Sequence, residues 1–339
     1  MRRNWLVPLT AATALIGLAV LPALAQSTPG NEGAASPAGA AASLPKSIAF
    51  PPVKAGPTRD LGLESAPTVA GLATATKVFG GTETSTPASA ALLDAMKSEG
   101  TGGAAVAGAL PPVTGAPPAL AAVADTSVYP YRAIGVVEVT YGPHTYPCTG
   151  TLIGPSTVIT AASCLWGAEG NPVWADKVDF IPGAEDSSAP YGLIDADSAN
   201  VMQQFIDSSG TVSSYGTDPF GVGVIHLAQP IGNQIGWLGF QTDLNKAYSP
   251  NAVTYGATGQ EAEQSTTTCP LVLQMMSRSS AQAAPCQAGP WGSPFFVVDS
   301  KKNRFVTGMV LEAAADGSPI RMSARISAVT YQWIADQRK

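Results

Sequence analysis

The chain changes texture near Asp125. After that point short apolar runs alternate with turn residues; before it they do not. Residues 133–140 (AIGVVEVT) and 152–160 are rich in Val, Ile and Thr, which suit a pleated, half-buried surface. Gly154-Pro155-Ser156 marks a turn within the second stretch. The pattern returns at 178–181, 220–227, 252–255, 271–275, 295–298 and 305–311. Short strands separated by turn signals predict an all-β barrel or sandwich. The C-terminus departs from this rule. Ser327 is a fit helix cap, and Val329, Trp333 and Ile334 then share one apolar face.

Residues 26–124 are built from Ala, Gly, Pro, Ser and Thr, with Phe50 and Phe79 as their only aromatic side chains. Such a composition buries too little apolar area to offset the entropy of ordering. It predicts a mostly disordered linker or pro-region. Within it, 88–96 (ASAALLDAM) reads as a short helix. A propeptide that occupies a cleft is the sharper alternative. Residues 1–25 read as a signal peptide: Arg2 and Arg3, an apolar run from Trp5 to about Leu21, then Ala23-Leu24-Ala25 before Gln26. An uncleaved anchor is the rival reading. No later stretch holds about 20 unbroken apolar residues, so no membrane span is expected once the signal is removed. Export to the periplasm or the medium follows.

Composition narrows the partners. Charged residues make up 12% of the 339-residue chain, and the net charge is −6. Phosphate binding needs clustered Lys and Arg, and no basic run is present, so no nucleic-acid partner is expected. The four cysteines, Cys148, Cys164, Cys269 and Cys286, are an even set in an exported chain. They favour disulfides, in any of three pairings. Neither a C-x-x-C spacing nor a His beside a Cys is present, which argues against zinc. No cofactor or metal is expected.

The stretch from Cys148 to Cys164, CTGTLIGPSTVITAASC, resembles the first signature of trypsin-like serine proteases. It is most similar to the glutamyl-endopeptidase (V8-like) branch, whose usual form ends T-A-A-H-C. Residues 125–135 (DTSVYPYRAIG), 224–240 (VIHLAQPIGNQIGWLGF) and 286–294 (CQAGPWGSP) resemble that branch's first strand, its middle segment and its G-x-S-G-S-P run. The resemblance covers residues 125–339 in order. It implies two packed six-stranded β-barrels with a cleft between them and a helix at the C-terminus. It also implies the disulfides Cys148–Cys164 and Cys269–Cys286.

Hydrolysis in this family needs a hydroxyl nucleophile, an imidazole that takes its proton, a carboxylate that orients the imidazole, and N–H donors for the oxyanion. The resemblance puts the base between Ala162 and Cys164, where this chain has Ser163, a hydroxyl without useful basicity near neutral pH. The carboxylate should open a D-Y-G-x-I-x-L strand. Here that strand begins Phe220-Gly221-Val222-Gly223, which puts Gly221 at the place. The nucleophile should be third in G-x-S-G-S-P, and here it is Trp291, a large ring expected also to fill the cleft. Gly289 and Trp291 stand where the oxyanion donors belong, but Pro290 between them restricts φ and lacks an N–H.

No neighbour supplies a lost role. Asp218 serves only if the strand is slipped. Ser293 matches a structural serine of the family. His226 is expected on the opposite strand face from Gly221, exposed to solvent. His144 lies in a turn, either on the cleft rim or facing solvent. Residues 307–311 (TGMVL) lack the His that glutamyl-specific relatives carry near there, so recognition of acidic side chains is unsupported. Met309, Val310 and Leu311 read as core or pocket wall. The expected function is that of a secreted, catalytically inactive serine protease homologue that binds a protein or peptide, with Trp291 as plug or anchor. The alternatives are an active endopeptidase with a non-standard site and an envelope structural protein with an Ala/Pro-rich arm.

Overall fold

The computed structural model describes residues 42–43, 72–102, 121–167, 173–186, 188–207, 219–242, 251–255, 262–266, 291–313 and 321–338. The chain opens with β1 (Ala42–Ser43), β2 (Ala73–Val78), β3 (Glu83–Pro87), α1 (Ala90–Gly102) and β4 (Ala121–Ala122). Next come β5 (Ile134–Tyr141), β6 (His144–Leu152), β7 (Thr157–Ala161), α2 (Ala162–Leu165), β8 (Lys177–Pro182), β9 (Ser188–Ala189), β10 (Ile194–Met202), α3 (Gln203–Asp207) and β11 (Val222–Leu227). Six of these strands close a barrel in the order β11-β7-β6-β5-β8-β10, with β10 pairing back to β11. Every residue of β5 except Thr140 is buried, so both of its faces are covered. That coverage explains why β5 reads as a continuous apolar run and not as an alternation.

The second half contains α4 (Gly232–Ile235), β12 (Gly239–Phe240), β13 (Asn251–Tyr255), β14 (Ala262–Thr266), β15 (Pro294–Val298), β16 (Arg304–Ala313) and β17 (Arg321–Arg325). These strands and β4 form a seven-stranded sheet in the order β12-β16-β15-β13-β14-β4, with β17 against β16. Among the described residues its pairings do not close a ring. The chain ends in α5 (Ala328–Gln337). Ser327 caps it as expected, its hydroxyl accepting from the Thr330 N–H at 3.1 Å, and Val329, Trp333 and Ile334 are buried. No described helix is long and apolar enough to cross a membrane.

One expectation needs correction. Residues 72–102 fall inside the segment read as mostly disordered, yet they form a hairpin and a helix. The segment does not have to build a core of its own. Instead it borrows one. β8 pairs only with Ile194 and Asp195 of β10, and β2 takes over the same edge from Ser198 to Met202. Leu72, Ala75, Leu92 and Met96 are buried in the same core cluster as the barrel. The helix read at 88–96 is present and longer, and it packs on α5. The signal-peptide reading, the strand at 271–275, Cys269, Cys286, Asp218, Gly289 and Pro290 lie outside the described residues.

Candidate functional site

Ser163 sits on α2, which follows β7 without a break. A disulfide joins Cys148 on β6 to Cys164, with the two Cα atoms 6.4 Å apart, and so fastens α2 to the barrel wall. The half-buried Ser163 hydroxyl donates to the backbone carbonyl of Leu311 on β16 at 3.1 Å. Gly221 ends a short 3-10 turn that leads into β11. The β11–β7 register, Val222 opposite Ala161, brings Gly221 alongside the start of α2. A Cβ at Gly221 would lie 2.5 Å from Leu311 Cδ1. That place is therefore filled by the leucine.

The Trp291-Gly292-Ser293 run is wedged between β6 and β16. The Thr149 N–H donates to the Trp291 carbonyl at 2.8 Å, and the Gly292 N–H donates to the Val310 carbonyl at 2.8 Å. Gly292 has φ +83°, and a Cβ there would lie 2.0 Å from Thr149 O. Only glycine fits on both counts. The Trp291 side chain is 8% exposed and belongs to the core. Ser293 is buried, and its hydroxyl donates to Thr254 Oγ1 at 2.8 Å, which suits the structural part expected of it.

Ser163 and Gly221 thus both meet Leu311, and Gly292, next to Trp291, bonds Val310 on the same strand. None of Ser163, Gly221, Trp291, Val310 and Leu311 carries an imidazole or a carboxylate. Leu311, which with Met309 and Val310 reads as core or pocket wall, is the residue that fills the place beside Gly221. The available signal was Gly221 itself: removing a side chain from a packed site leaves a space that a neighbour must occupy.

Neither histidine reaches the junction. His226 lies at the far end of β11 from Gly221 and is buried, contrary to the exposed position expected. The end of α5 covers it. Its Nε2 faces the Gln337 carbonyl at 2.7 Å, and its Nδ1 faces Ser198 Oγ at 3.2 Å. A carbonyl only accepts, so Nε2 carries a hydrogen, and Nδ1 shares a hydrogen bond with the Ser198 hydroxyl. His144 is exposed on its turn beside Tyr146. The strongest electrostatic feature also lies elsewhere, on β5, β8 and β10. Glu138 pairs across the sheet with Asp179, and Asp179 with Asp195. Lys177 Nζ bridges the two aspartates at 2.8 and 3.0 Å. Burial, then repulsion from Asp179, pushes the Glu138 carboxyl up to about 7, partly offset by Lys177. Among the described residues no group of three or more His, Cys, Asp or Glu is placed to hold a metal ion.

No family model matches the chain. It is 31% identical over 139 residues to an extracellular metalloprotease of Bacillus subtilis, covering 40% of this chain and 41% of that protein. It is 34% identical over 118 residues to a glutamyl endopeptidase of Bacillus licheniformis, covering 35% of this chain and 33% of that protein. The chain therefore spans less than half the length of either relative. A solved Glu endopeptidase in complex with MPD superposes with a TM-score of 0.51 at 19% identity, over 67% of this chain and 98% of that one. The closed barrel, the second sheet and the C-terminal helix have the fold of the chymotrypsin-like serine proteases, as the sequence implied.

Proposed function

We propose that this chain is an exported protease homologue that has lost hydrolysis and acts by binding a protein or peptide. The observation that carries the proposal is Leu311. Its side chain fills the place next to Gly221 where a carboxylate would sit, and its carbonyl takes the Ser163 hydroxyl. With Ser163, Gly221 and Trp291 at the positions of base, orienter and nucleophile, those three positions supply neither a base nor a nucleophile. Binding and an oxyanion hole alone give about 10³–10⁴-fold over water, well short of the roughly 10⁶-fold or more of working enzymes. A protease fold without this chemistry keeps a rigid scaffold whose loops are free to serve recognition.

Purified protein should not hydrolyse casein or fluorogenic peptides above buffer. Hydrolysis that disappears in Ser163→Ala would overturn the proposal. Selection of displayed peptides on the same protein should enrich binders. If no peptide is enriched and hydrolysis is also absent, an envelope structural role replaces the binding role.

A further inference from the structure

Residues 72–102 are attached to the rest of the fold by two kinds of contact. β2 extends the sheet at the edge of β10, pairing Thr74 with Met202, Ala75 with Val201, Thr76 with Asn200, Lys77 with Ala199 and Val78 with Ser198. The Phe79 N–H continues this attachment, donating to the Asp197 carbonyl at 3.0 Å. α1 lies on α5 and buries Leu92 and Met96. Polar side chains fix the register between the two. The Trp333 ring N–H donates to Thr74 Oγ1 at 3.0 Å, and the Ser89 hydroxyl donates to Asp336.

The segment is also closed on itself. β2 and β3 pair along their whole length, the Ala88 N–H donates to the Leu72 carbonyl, and Ser89 caps α1 by accepting from the Leu92 N–H at 3.0 Å. Its chain connection to the barrel runs through residues 103–120, a stretch of Ala, Gly, Pro, Val, Leu and Thr with no charged residue. Without the segment, the β10 edge from 198 to 202 would present unpaired N–H and C=O groups, and the Trp333 N–H would lose its acceptor. A sheet edge of that kind takes an added strand, and an apolar helix face takes an amphipathic helix.

We propose that residues 72–102 are a docking module for which β10 and α5 form the receptor, and that it stays bound after the chain is cut within 103–120. The partner is thus a segment of this same chain, recognised by an Ala/Thr-rich strand and a helix carrying Leu92 and Met96 one turn apart. Cleavage there yields a two-chain protein and not a shortened domain. The inference does not depend on whether hydrolysis has been lost.

A recognition sequence for a site-specific protease, inserted between Gly115 and Ala116 of the full chain, tests this. After cleavage the N-terminal fragment should co-elute with the barrel in native gel filtration and separate only in denaturant. Leu92→Glu should speed release of the cut fragment about 100-fold, from the lost burial of one side chain. Thr74→Val should speed it about fivefold, from one lost hydrogen bond. If Leu92→Glu does not fold uncut, the conservative Thr74→Val carries the comparison. Separation of the unmutated cut fragment under native conditions would overturn the proposal. So would release from Leu92→Glu and Thr74→Val no faster than from the parent.

Discussion

The junction around Leu311 and the clasp around Trp333 join distant segments with opposite materials. At the junction an apolar side chain is pressed against a glycine, and the hydrogen bonds run to backbone groups. At the clasp the links are between polar side chains: Trp333 to Thr74, Ser89 to Asp336, and Asn200 to Gln337 at 2.9 Å. Shape determines the first and hydrogen-bond geometry registers the second. A packed glycine admits no side chain at its position, because Leu311 occupies the space. The clasp is centred on one large buried ring, Trp333.

The sharpest way to break this contrast is Trp333→Ala. Trp333 is fully buried under α1 and β2, and its truncation should cost about 3–5 kcal/mol in denaturant unfolding. A cost below about 1 kcal/mol would mean that the clasp is not part of the core. On the junction side, replacing Cys148 and Cys164 together by Ser opens a loop of sequence separation 16. It should cost about 3 kcal/mol.

Gly221→Ala comes next, at about 1–3 kcal/mol, because the new methyl overlaps Leu311. The same substitution in a Leu311→Ala background should cost much less, and equal costs in both backgrounds would show that Leu311 does not fill the site. The smallest effect is expected away from both regions. Glu138 holds its proton in the folded chain up to about pH 7, whereas the unfolded carboxyl releases it near 4.5. Between those values the folded state binds more protons, so stability falls as pH rises and is flat above. Glu138→Gln removes that fall; the shift corresponds to about 3 kcal/mol, and with solvent screening of this partly accessible carboxyl the variant should be more stable than the parent at pH 8 by about 1 kcal/mol. Urea unfolding at pH 5 and pH 8 reads the difference.

Where a strand is rich in apolar and β-branched residues, the sequence was easy to read: β5, β7, β11 and β15 lie close to the runs that predicted them. β10 (IDADSANVM) was missed, because Asp, Ser and Asn are poor strand residues in isolation. It is held by neighbours on both edges, β11 on one and β8 then β2 on the other. The hairpin at β2 and β3 was missed for the related reason that its burial is supplied by another part of the chain. His226 was read as exposed because strand alternation says which side a residue takes, and not whether a helix 111 positions later covers that side.

By itself the sequence determined which residues stand at the three positions. Ser163, Gly221 and Trp291 are identities, and the proposed loss of hydrolysis rests on them. It also determined the strand-rich class and the capped C-terminal helix, since both follow from local periodicity. Only the tertiary structure decided what packs beside Gly221, and that residues 72–102 are part of the fold. Both depend on contacts between segments far apart in the chain, such as Ser163 with Leu311 and Thr74 with Trp333. Local composition carries no record of such contacts.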